Sequence, residues 1–300
     1  MADEIIENDE SQKRQYIDAE SVFNELRRVR QQASQVRGGM MWREVSGTKY
    51  LIRTSTKGAQ KSLGPKSEET HKVYQAFVHR KKAVTERLKT IKTQFDRQRR
   101  LNKALRVGRV PNVVANVLNA LDDAGLSQHF MVVGTHALCA YESACGVRFV
   151  PDAMATRDID LLFDTRKHLR FFSHMRQIDS SLLGVLRKAD KSFERLDDQM
   201  ETARNSSGFE VDIIRRVAKG DDPHQQILNA PRFSQMVVST TGDMAMMNTM
   251  HPLDFVQVKR MLAARPDRDP LKRNKDEQQA RLVTELVAQY MPQYERAGNK

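Results

Sequence analysis

Residues 156–163 read Thr-Arg-Asp-Ile-Asp-Leu-Leu-Phe, and residues 208–214 read Gly-Phe-Glu-Val-Asp-Ile-Ile. Both segments are typical of short β-strands with a buried face. Because side chains alternate between the two faces of a strand, Asp158 and Asp160 must point the same way. Two neighbouring carboxylates in a half-buried setting need a proton or a cation between them, and their hard oxygen atoms suit Mg²⁺ or Mn²⁺. The first segment therefore predicts a metal site.

A third acidic position, Asp212, lies on the second of these strands. Glu210 shares its strand face and is a rival third ligand, because residues two apart point the same way. The alternative for Asp212 is an edge-strand carboxylate that pairs with Arg215 or Arg216. The alternative for the first pair is a solvated strand end with Arg157 as the counter-ion.

A possible phosphate site precedes these strands. The apolar segment from residue 129 to 133 ends at Gly134, and Thr135 then opens a predicted helix. A small residue followed by free backbone N–H groups at a helix start is a place where a phosphate can dock.

Taken in order, the strand-Gly-Thr turn, the Asp-x-Asp strand and the later single-Asp strand resemble the polymerase-β-like nucleotidyltransferase superfamily, over about residues 111 to 290. The resemblance implies that Gly134 and Thr135 hold the triphosphate of a nucleotide. It also implies that three carboxylates, those of Asp158, Asp160 and Asp212, hold two divalent ions. Thr135 stands where Ser or Gly is commoner. The segment between the turn and the Asp-x-Asp strand is longer than usual, and we interpret Cys145 to Ala155 as an inserted loop over the site.

The C-terminal part looks like the helical tail of a small bacterial group with the nucleotidyltransferase fold. That tail has a lysine on one helix and a Lys-x-x-x-Asp pattern on the next, here Lys259 and Lys272 to Asp276. The resemblance implies that Lys259 first, and Lys272 second, contact the nucleotide phosphates. An ordinary exposed helix face is the alternative for both lysines.

Composition bounds the class of protein. The chain has 300 residues, 39% of them hydrophobic, which is enough for about two globular domains. Mean hydropathy is −0.62. The sequence contains no run of eighteen apolar residues, and its first residues are acidic, so we expect a cytoplasmic protein without a membrane partner. Cys139 and Cys145 are the two cysteines, too few for a disulfide framework or a zinc site.

The net charge of +12 is concentrated in one segment. Residues 79–109 contain twelve lysines and arginines against two acidic residues. Val84, Leu88, Ile91 and Phe95 follow helical spacing there, which predicts a long helix with one buried stripe and a basic remainder. Such a face attracts polyphosphate backbones, although a merely solvated helix is the alternative. The predicted nucleic-acid contacts are Arg80, Lys81, Arg87, Lys92, Arg99 and Arg100.

The mixture of strands and helices without strict alternation predicts an α+β fold, a mixed sheet flanked by helices. We divide the chain into a basic N-terminal region, 1–110, a catalytic domain, 111–219, and a mainly helical C-terminal region, 220–300. In the first region we expect mobile residues 1–12, a helix from Ala19 to Val36 and a β-hairpin from Met41 to Arg53 that turns at Gly47.

The predicted function is transfer of a nucleoside monophosphate from an NTP to an acceptor hydroxyl with release of pyrophosphate. The acceptor is expected to be RNA, with tRNA as one candidate, bound by the basic helix. One alternative is a nucleic-acid-binding module that kept the fold without turnover, since fold does not guarantee activity. Another is a toxin of a toxin–antitoxin pair that nucleotidylates a partner protein. The sequence lacks Walker-type and dinucleotide-binding glycine motifs, which argues against ATPases and dehydrogenases.

Overall fold

The computed structural model describes residues 4–164, 171, 175, 181–196, 199, 201–214 and 232–294. The chain divides into two compact units. We call Met1–Arg14 together with Asn102–Lys300 the sheet unit, and Gln15–Leu101 the basic unit. The predicted division of the chain at residues 110 and 219 stays a prediction.

The strands of the chain, in order, are β1 (Ile5–Glu7), β2 (Gly39–Val45), β3 (Thr48–Thr54), β4 (Gln60–Pro65), β5 (Phe130–Val133), β6 (Val147–Phe149), β7 (Asp158–Phe163), β8 (Glu194–Arg195), β9 (Thr202–Arg204), β10 (Glu210–Ile214), β11 (Phe233–Val238) and β12 (Met244–Thr249). The α-helices of the described residues are α1 (Glu10–Gln35), α2 (Glu68–Ala104), α3 (Asn112–Asp123), α4 (Leu138–Cys145), α5 (Pro151–Met154), α6 (Leu182–Ala189), α7 (Pro252–Ala263) and α8 (Pro270–Tyr290). These elements confirm the predicted α+β class with a helical C-terminal region.

A seven-stranded mixed sheet forms the centre of the sheet unit. Its strand order is β11-β12-β5-β7-β10-β9-β8, in which β12 and β5 are parallel, as are β7 and β10, while the other neighbours are antiparallel. Helices α3 and α4 pack on β12 and β11, and α7 packs along α8. The predicted mixed sheet flanked by helices is therefore confirmed.

The central strand β7 has one face in the core and one toward the site. Ile159 and Leu161 are fully buried, whereas Asp158 and Asp160 are half-buried. The alternation follows from the period of two along a strand. Antiparallel pairing with β5 brings Val133, the residue before the glycine turn, opposite Asp160. The strand thus positions both aspartates beside that turn.

The N-terminal residues are more ordered than the sequence suggested. The expectation of a mobile segment 1–12 is wrong for its described part, because β1 pairs with β6 and α1 begins at Glu10 rather than Ala19. Asp9 caps this helix, since its Oδ1 accepts a hydrogen bond from Gln12 N at 2.8 Å and its own N–H donates to Gln12 Oε1 at 3.3 Å. This reciprocal pair is a capping box, which fixes the helix start.

The segment interpreted as an inserted loop also contains regular structure. Between Cys145 and Ala155, the chain forms β6, the partner of β1, and the short helix α5. Glu142 on α4 accepts a hydrogen bond from the N–H of Phe149 at 2.6 Å and forms an ion pair with Arg109 at 3.1 Å. These contacts hold the segment in place, so the description as a loop is corrected.

The basic unit combines two antiparallel helical segments with a small sheet. Hydrogen bonding of Gln15 to Gln98 and packing of Phe23 against Phe95 show that α1 and α2 run in opposite directions. Strands β2, β3 and β4 form an antiparallel sheet in that order, which confirms the predicted hairpin. Ser67 caps α2 by accepting a hydrogen bond from Thr70 N.

The predicted apolar stripe of α2 is confirmed. Val84 and Ile91 are buried against α1, and Leu88 and Phe95 pack beside them. Narrow seams of this kind, with apolar residues three and four apart, leave most of a helix surface free for charge.

Two expectations fall outside the described residues. They are most of the predicted helix Thr165 to Ile178 and the chain break Gly220 to Pro223. Within the part of the chain that the structure describes, no helix combines the length and the apolar character needed to cross a bilayer.

Candidate active site

Two parallel strands bring three aspartates together. In the register of β7 and β10, Asp212 lies opposite Asp160 and Glu210 lies opposite Asp158. One carboxylate oxygen from each of Asp158, Asp160 and Asp212 lies within 4.8 Å of the others, and all three residues are half-buried. The structure thus assembles the three aspartates singled out in the sequence. Their role as metal ligands stays a prediction.

The third position of the cluster is Asp212 rather than Glu210. Glu210 accepts a hydrogen bond from Arg204 Nε at 2.7 Å and lies outside the cluster. Asp212 Oδ1 accepts a hydrogen bond from the hydroxyl of Thr202 at 2.6 Å, which orients its carboxylate. The partners considered for Asp212 in the alternative reading, residues 215 and 216, lie outside the described residues.

The three carboxylates of the cluster repel one another. Burial, together with the charges of Asp158 and Asp212, raises the pKa of Asp160 to about 6, although Lys259 and Lys272 act in the opposite direction. A raised pKa means that the site favours an added positive charge, which a proton or a cation can supply. Three carboxylate oxygens are hard donors of the kind that Mg²⁺ and Mn²⁺ prefer. The donor set therefore fits a divalent ion.

The turn after β5 needs glycine at residue 134. Its backbone has φ +69° and ψ −154°, and a Cβ at this position would overlap Asp160 Oδ2. Positive φ disfavours other residues, and a Cβ here would have to displace the Asp160 carboxylate. Thr135 then begins a single 3₁₀ turn that leads into α4, where a continuous helix was expected from Thr135.

A buried glutamine on α8 holds this turn. Gln279 is fully buried, and its Nε2 donates to Thr135 Oγ1 at 3.2 Å and to Ala153 O at 2.7 Å. One turn earlier on α8, Lys275 Nζ donates to Ala155 O. The C-terminal helix therefore fastens both the glycine turn and the segment that leads into β7.

Lys259 is held by a buried carboxylate between α7 and α8. Its Nζ lies 2.7 Å from Asp276 Oδ1, and Arg268 Nε donates to Asp276 Oδ2 at 2.8 Å. Lys259 and Asp276 are both buried. Asp276 is the acidic residue of the Lys-x-x-x-Asp pattern, so this pattern supplies the counter-ion of Lys259. Because the single carboxylate of Asp276 neutralises only one of the two cations, Lys259, Arg268 and Asp276 together keep a net positive charge.

Lys272 and Lys275 add positive charge near the cluster. The charge of Lys272 acts to lower the pKa of Asp160. The pKa of Lys275 is itself lowered, mainly by burial and to a smaller extent by repulsion from Lys259. His136 is also close: its pKa falls to about 4 because of burial, with Asp158 opposing the shift. The imidazole is therefore neutral at pH 7. It is not a source of positive charge for the site.

The predicted nucleic-acid contacts belong to the basic unit. All six lie on α2 with exposed side chains; they are Arg80, Lys81, Arg87, Lys92, Arg99 and Arg100. Three have identified partners: Lys81 Nζ donates to Gly38 O, Arg87 pairs with Glu25 at 2.6 Å, and Arg100 Nε donates to Asp96 O at 3.2 Å.

Several residues of the site carried no signal in the sequence. Gln279 lies 144 positions from Thr135, and Thr202 lies ten positions from Asp212. Neither residue belongs to a recognisable spacing. In the sequence, Arg268 is one of several charged residues before α8, and no pattern distinguishes it from the others. The Asp276 partner was present in the Lys-x-x-x-Asp pattern, but its contact with Lys259 depends on how α7 and α8 pack.

Comparison with known proteins agrees with the geometry. The mixed sheet, the glycine turn and the clustered aspartates define a candidate phosphoryl-transfer site, and the sequence model of a family described as "Nucleotidyltransferase" matches residues 112–299. This match covers more than half of the chain, so the chain belongs to that nucleotidyltransferase family. No curated protein and no solved structure matches the chain.

Proposed function

We propose that this protein transfers a nucleoside monophosphate from an NTP to an acceptor hydroxyl of RNA and releases pyrophosphate. The observation that carries the proposal is the in-register placement of Asp160 and Asp212, with Asp158 within 4.8 Å, beside a turn whose positive φ favours glycine. Membership of the nucleotidyltransferase family supports the reaction class.

The reaction is a substitution at the α-phosphorus. The acceptor oxygen forms a bond to this phosphorus, the bond to the oxygen that bridges to the β-phosphate breaks, and pyrophosphate leaves with that electron pair. A divalent ion, Mg²⁺ or Mn²⁺, would supply charge neutralisation and lower the pKa of the acceptor hydroxyl. Asp158, Asp160 and Asp212 would hold it, and the carboxylate of Asp212, oriented by Thr202, would receive the hydroxyl proton.

The triphosphate would occupy the side of the site formed by the glycine turn and α7–α8. Gly134 leaves space for close backbone approach, and the hydroxyl of Thr135 is oriented by Gln279. Lys259, held by Asp276, and Lys272 supply positive charge that also acts on Asp160. Polyphosphates bind where such charges and backbone N–H groups converge.

The RNA acceptor would be bound by the basic face of α2. Exposed lysines and arginines on one long helix favour contacts to backbone phosphates, which weaken as salt increases. Such contacts position a nucleic acid without reading its sequence. We also propose the polymerase-β-like superfamily and the small bacterial group that the resemblance implies, and the cytoplasmic location expected from the composition.

An incorporation assay tests the proposal. The protein is incubated with each α-labelled NTP, Mg²⁺ or Mn²⁺, and total cellular RNA, alongside Asp158→Ala and Asp212→Ala. We expect label in RNA, reduced at least about 100-fold in both variants because each removes a charge that stabilises the transition state. Glu210→Ala is the matched control, since Glu210 lies on the same strand face outside the cluster and pairs with Arg204.

The position of the label decides between the alternatives. Label on RNA that disappears in both aspartate variants supports the proposal. Label on protein bands instead would identify a protein-nucleotidylating enzyme and contradict an RNA acceptor. RNA retained without label by all forms of the protein would contradict turnover and support a binding module.

A further inference from the structure

The basic unit carries the whole net charge of the protein. Residues 15–101 contain twenty lysines and arginines against eight aspartates and glutamates, which gives +12, the net charge of the full chain. The sheet unit is therefore neutral overall. Charge separated in this way makes the basic unit the part that attracts polyanions.

The outward face of α2 presents this charge in regular positions. Val84 and Ile91 mark the seam that packs against α1. Lys82, Lys89 and Arg100 are seven and eleven positions apart, close to whole numbers of helical turns, so they share one face, and this face is opposite the seam. All three are exposed. A row of cations thus follows the helix away from its partner.

These cations are mostly available for a ligand. Among the described residues, no ion pair joins an acidic side chain to Arg80, Lys82, Lys89, Lys92 or Arg97. Helix α2 has 37 residues. It is therefore about 55 Å long, and the row from Lys82 to Arg100 extends over about 27 Å of it, most of one turn of a nucleic-acid duplex, which is about 34 Å in B-form.

The unit offers no exposed aromatic platform for unpaired bases. All seven of its Phe, Tyr and Trp side chains are buried or half-buried. The ring of Trp42 lies against Tyr74, at 5.9 Å between ring centroids, and the guanidinium of Arg53 covers Phe77 at 4.4 Å. Proteins that bind single strands combine positive charge with aromatic rings on which the bases stack. Recognition of a duplex relies instead on backbone contacts and shape.

We propose that the basic unit binds the sugar-phosphate backbone of a nucleic-acid duplex, so that the acceptor is a folded RNA held by its helical part. The proposal rests on the proposed function only in naming this RNA as the acceptor. Duplex binding itself needs neither the aspartates nor a nucleotide. The same backbone chemistry is present in RNA and DNA duplexes, which the test below separates.

Fluorescence anisotropy with the full chain tests the inference. The probes are a 20-base-pair RNA duplex, the DNA duplex of the same sequence and each RNA strand alone, titrated at several salt concentrations. We expect a duplex to bind at least tenfold more tightly than its single strands. In the triple variant Lys82→Glu, Lys89→Glu, Arg100→Glu, duplex affinity should fall at least 100-fold, and the slope of log affinity against log salt should decrease by about 3.

The matched control makes the same change of charge in the sheet unit. Lys188, Lys191 and Arg195 are exposed there, and replacing all three by Glu should change duplex affinity less than threefold. Circular dichroism spectra equal to wild type verify that both triple variants are folded. Because the α2 substitutions lie opposite the seam, no buried contact is removed.

The outcomes separate the inference from the proposed function. The inference would be overturned if single strands bind as tightly as a duplex, or if the α2 variant binds like wild type. It would also be overturned if polyglutamate displaces the duplex when it is added at an equal concentration of negative charge. Tighter binding of the RNA duplex than of the DNA duplex upholds the folded-RNA acceptor, whereas preference for DNA overturns it. Asp158→Ala should bind the duplex like wild type, and a wild-type protein that binds the duplex but transfers no label would refute only the proposed reaction.

Discussion

A single backbone position controls the geometry of the carboxylate cluster. At Gly134 the chain has φ +69°, and Asp160 Oδ2 occupies the space that a Cβ would need. The carboxylate is the far end of a flexible side chain, so an added methyl group would displace it rather than unfold the sheet. Residue 134 therefore affects the site more than the stability of the fold.

This difference gives the first prediction. Gly134→Ala should lower the free energy of unfolding by on the order of 1–3 kcal/mol, the cost of a strained backbone, but weaken Mn²⁺ binding at least tenfold. Gly125→Ala is the control, because Gly125 has φ +71° and open space around its Cβ position. It should also lose stability because of its positive φ, but it should keep Mn²⁺ affinity. Urea unfolding and Mn²⁺ titration measure the two quantities, and equal Mn²⁺ affinity in both variants would contradict the prediction.

At the scale of secondary-structure elements, Glu142 ties α4 to the segment around β6. It accepts a hydrogen bond from Phe149 N and pairs with Arg109, yet burial raises the pKa of Glu142 from 4.5 to about 7. Burial thus outweighs the arginine. Because the folded state binds the proton more tightly than the unfolded state, this contribution to stability is present below pH 4.5 and is lost as the pH rises through 7.

Glu142→Gln removes this titration. Relative to wild type, the variant should gain on the order of 2–3 kcal/mol in free energy of unfolding between pH 5 and pH 8, because wild type must ionise a buried carboxyl over that range. Chemical denaturation at the two pH values measures the difference. Glu44→Gln, an exposed position on β2, should follow wild type at both values. A stability difference between Glu142→Gln and wild type that stays constant with pH would refute the prediction.

Elements with a long periodic signal were predictable from the sequence, and short ones were not. The seam of α2, the hairpin β2–β3 and the two aspartate strands follow from spacing alone. Strand β1 has three residues, too few to show a period, and pairs with β6 more than 140 positions away. The start of α1 did have a local signal, the capping box of Asp9 and Gln12, which the sequence interpretation overlooked.

The candidate site could also be predicted only in part from the sequence. Asp158, Asp160, Asp212 and Gly134 were predictable because each lies on or directly after a strand whose face or end the sequence indicates. The contact of Gln279 with Thr135 arises from packing of α8 on the sheet unit, and no spacing within one element predicts it. The choice between Asp212 and Glu210 also needed structure, because both occupy one strand face and the difference lies in the Arg204 contact.

At the scale of the whole molecule, a bound ion should stabilise the fold. The three aspartates come from strands separated by about fifty residues, and an ion that binds only their folded arrangement shifts the unfolding equilibrium. At a Mn²⁺ concentration about 100 times its Kd, the gain is about 2.7 kcal/mol. The melting temperature of wild type should therefore rise by about 5 °C or more.

The aspartate variants test where the ion binds. In Asp160→Asn and Asp212→Asn, the increase in melting temperature with Mn²⁺ should be largely lost, whereas Glu210→Gln should retain it. EDTA should reverse the increase in wild type. An equal rise in the aspartate variants would place the stabilising ion elsewhere on the chain.

The close approach of Asp160 to residue 134 also affects how an ion associates. If Asp160 binds an ion, its Oδ2 already lies against the main chain of the turn, so part of its torsional entropy would be lost when the sheet assembles and not when the ion arrives. Association would then consist chiefly of the loss of hydration water from the ion. Exchange of one divalent ion for another should accordingly leave amide hydrogen exchange along β7 unchanged.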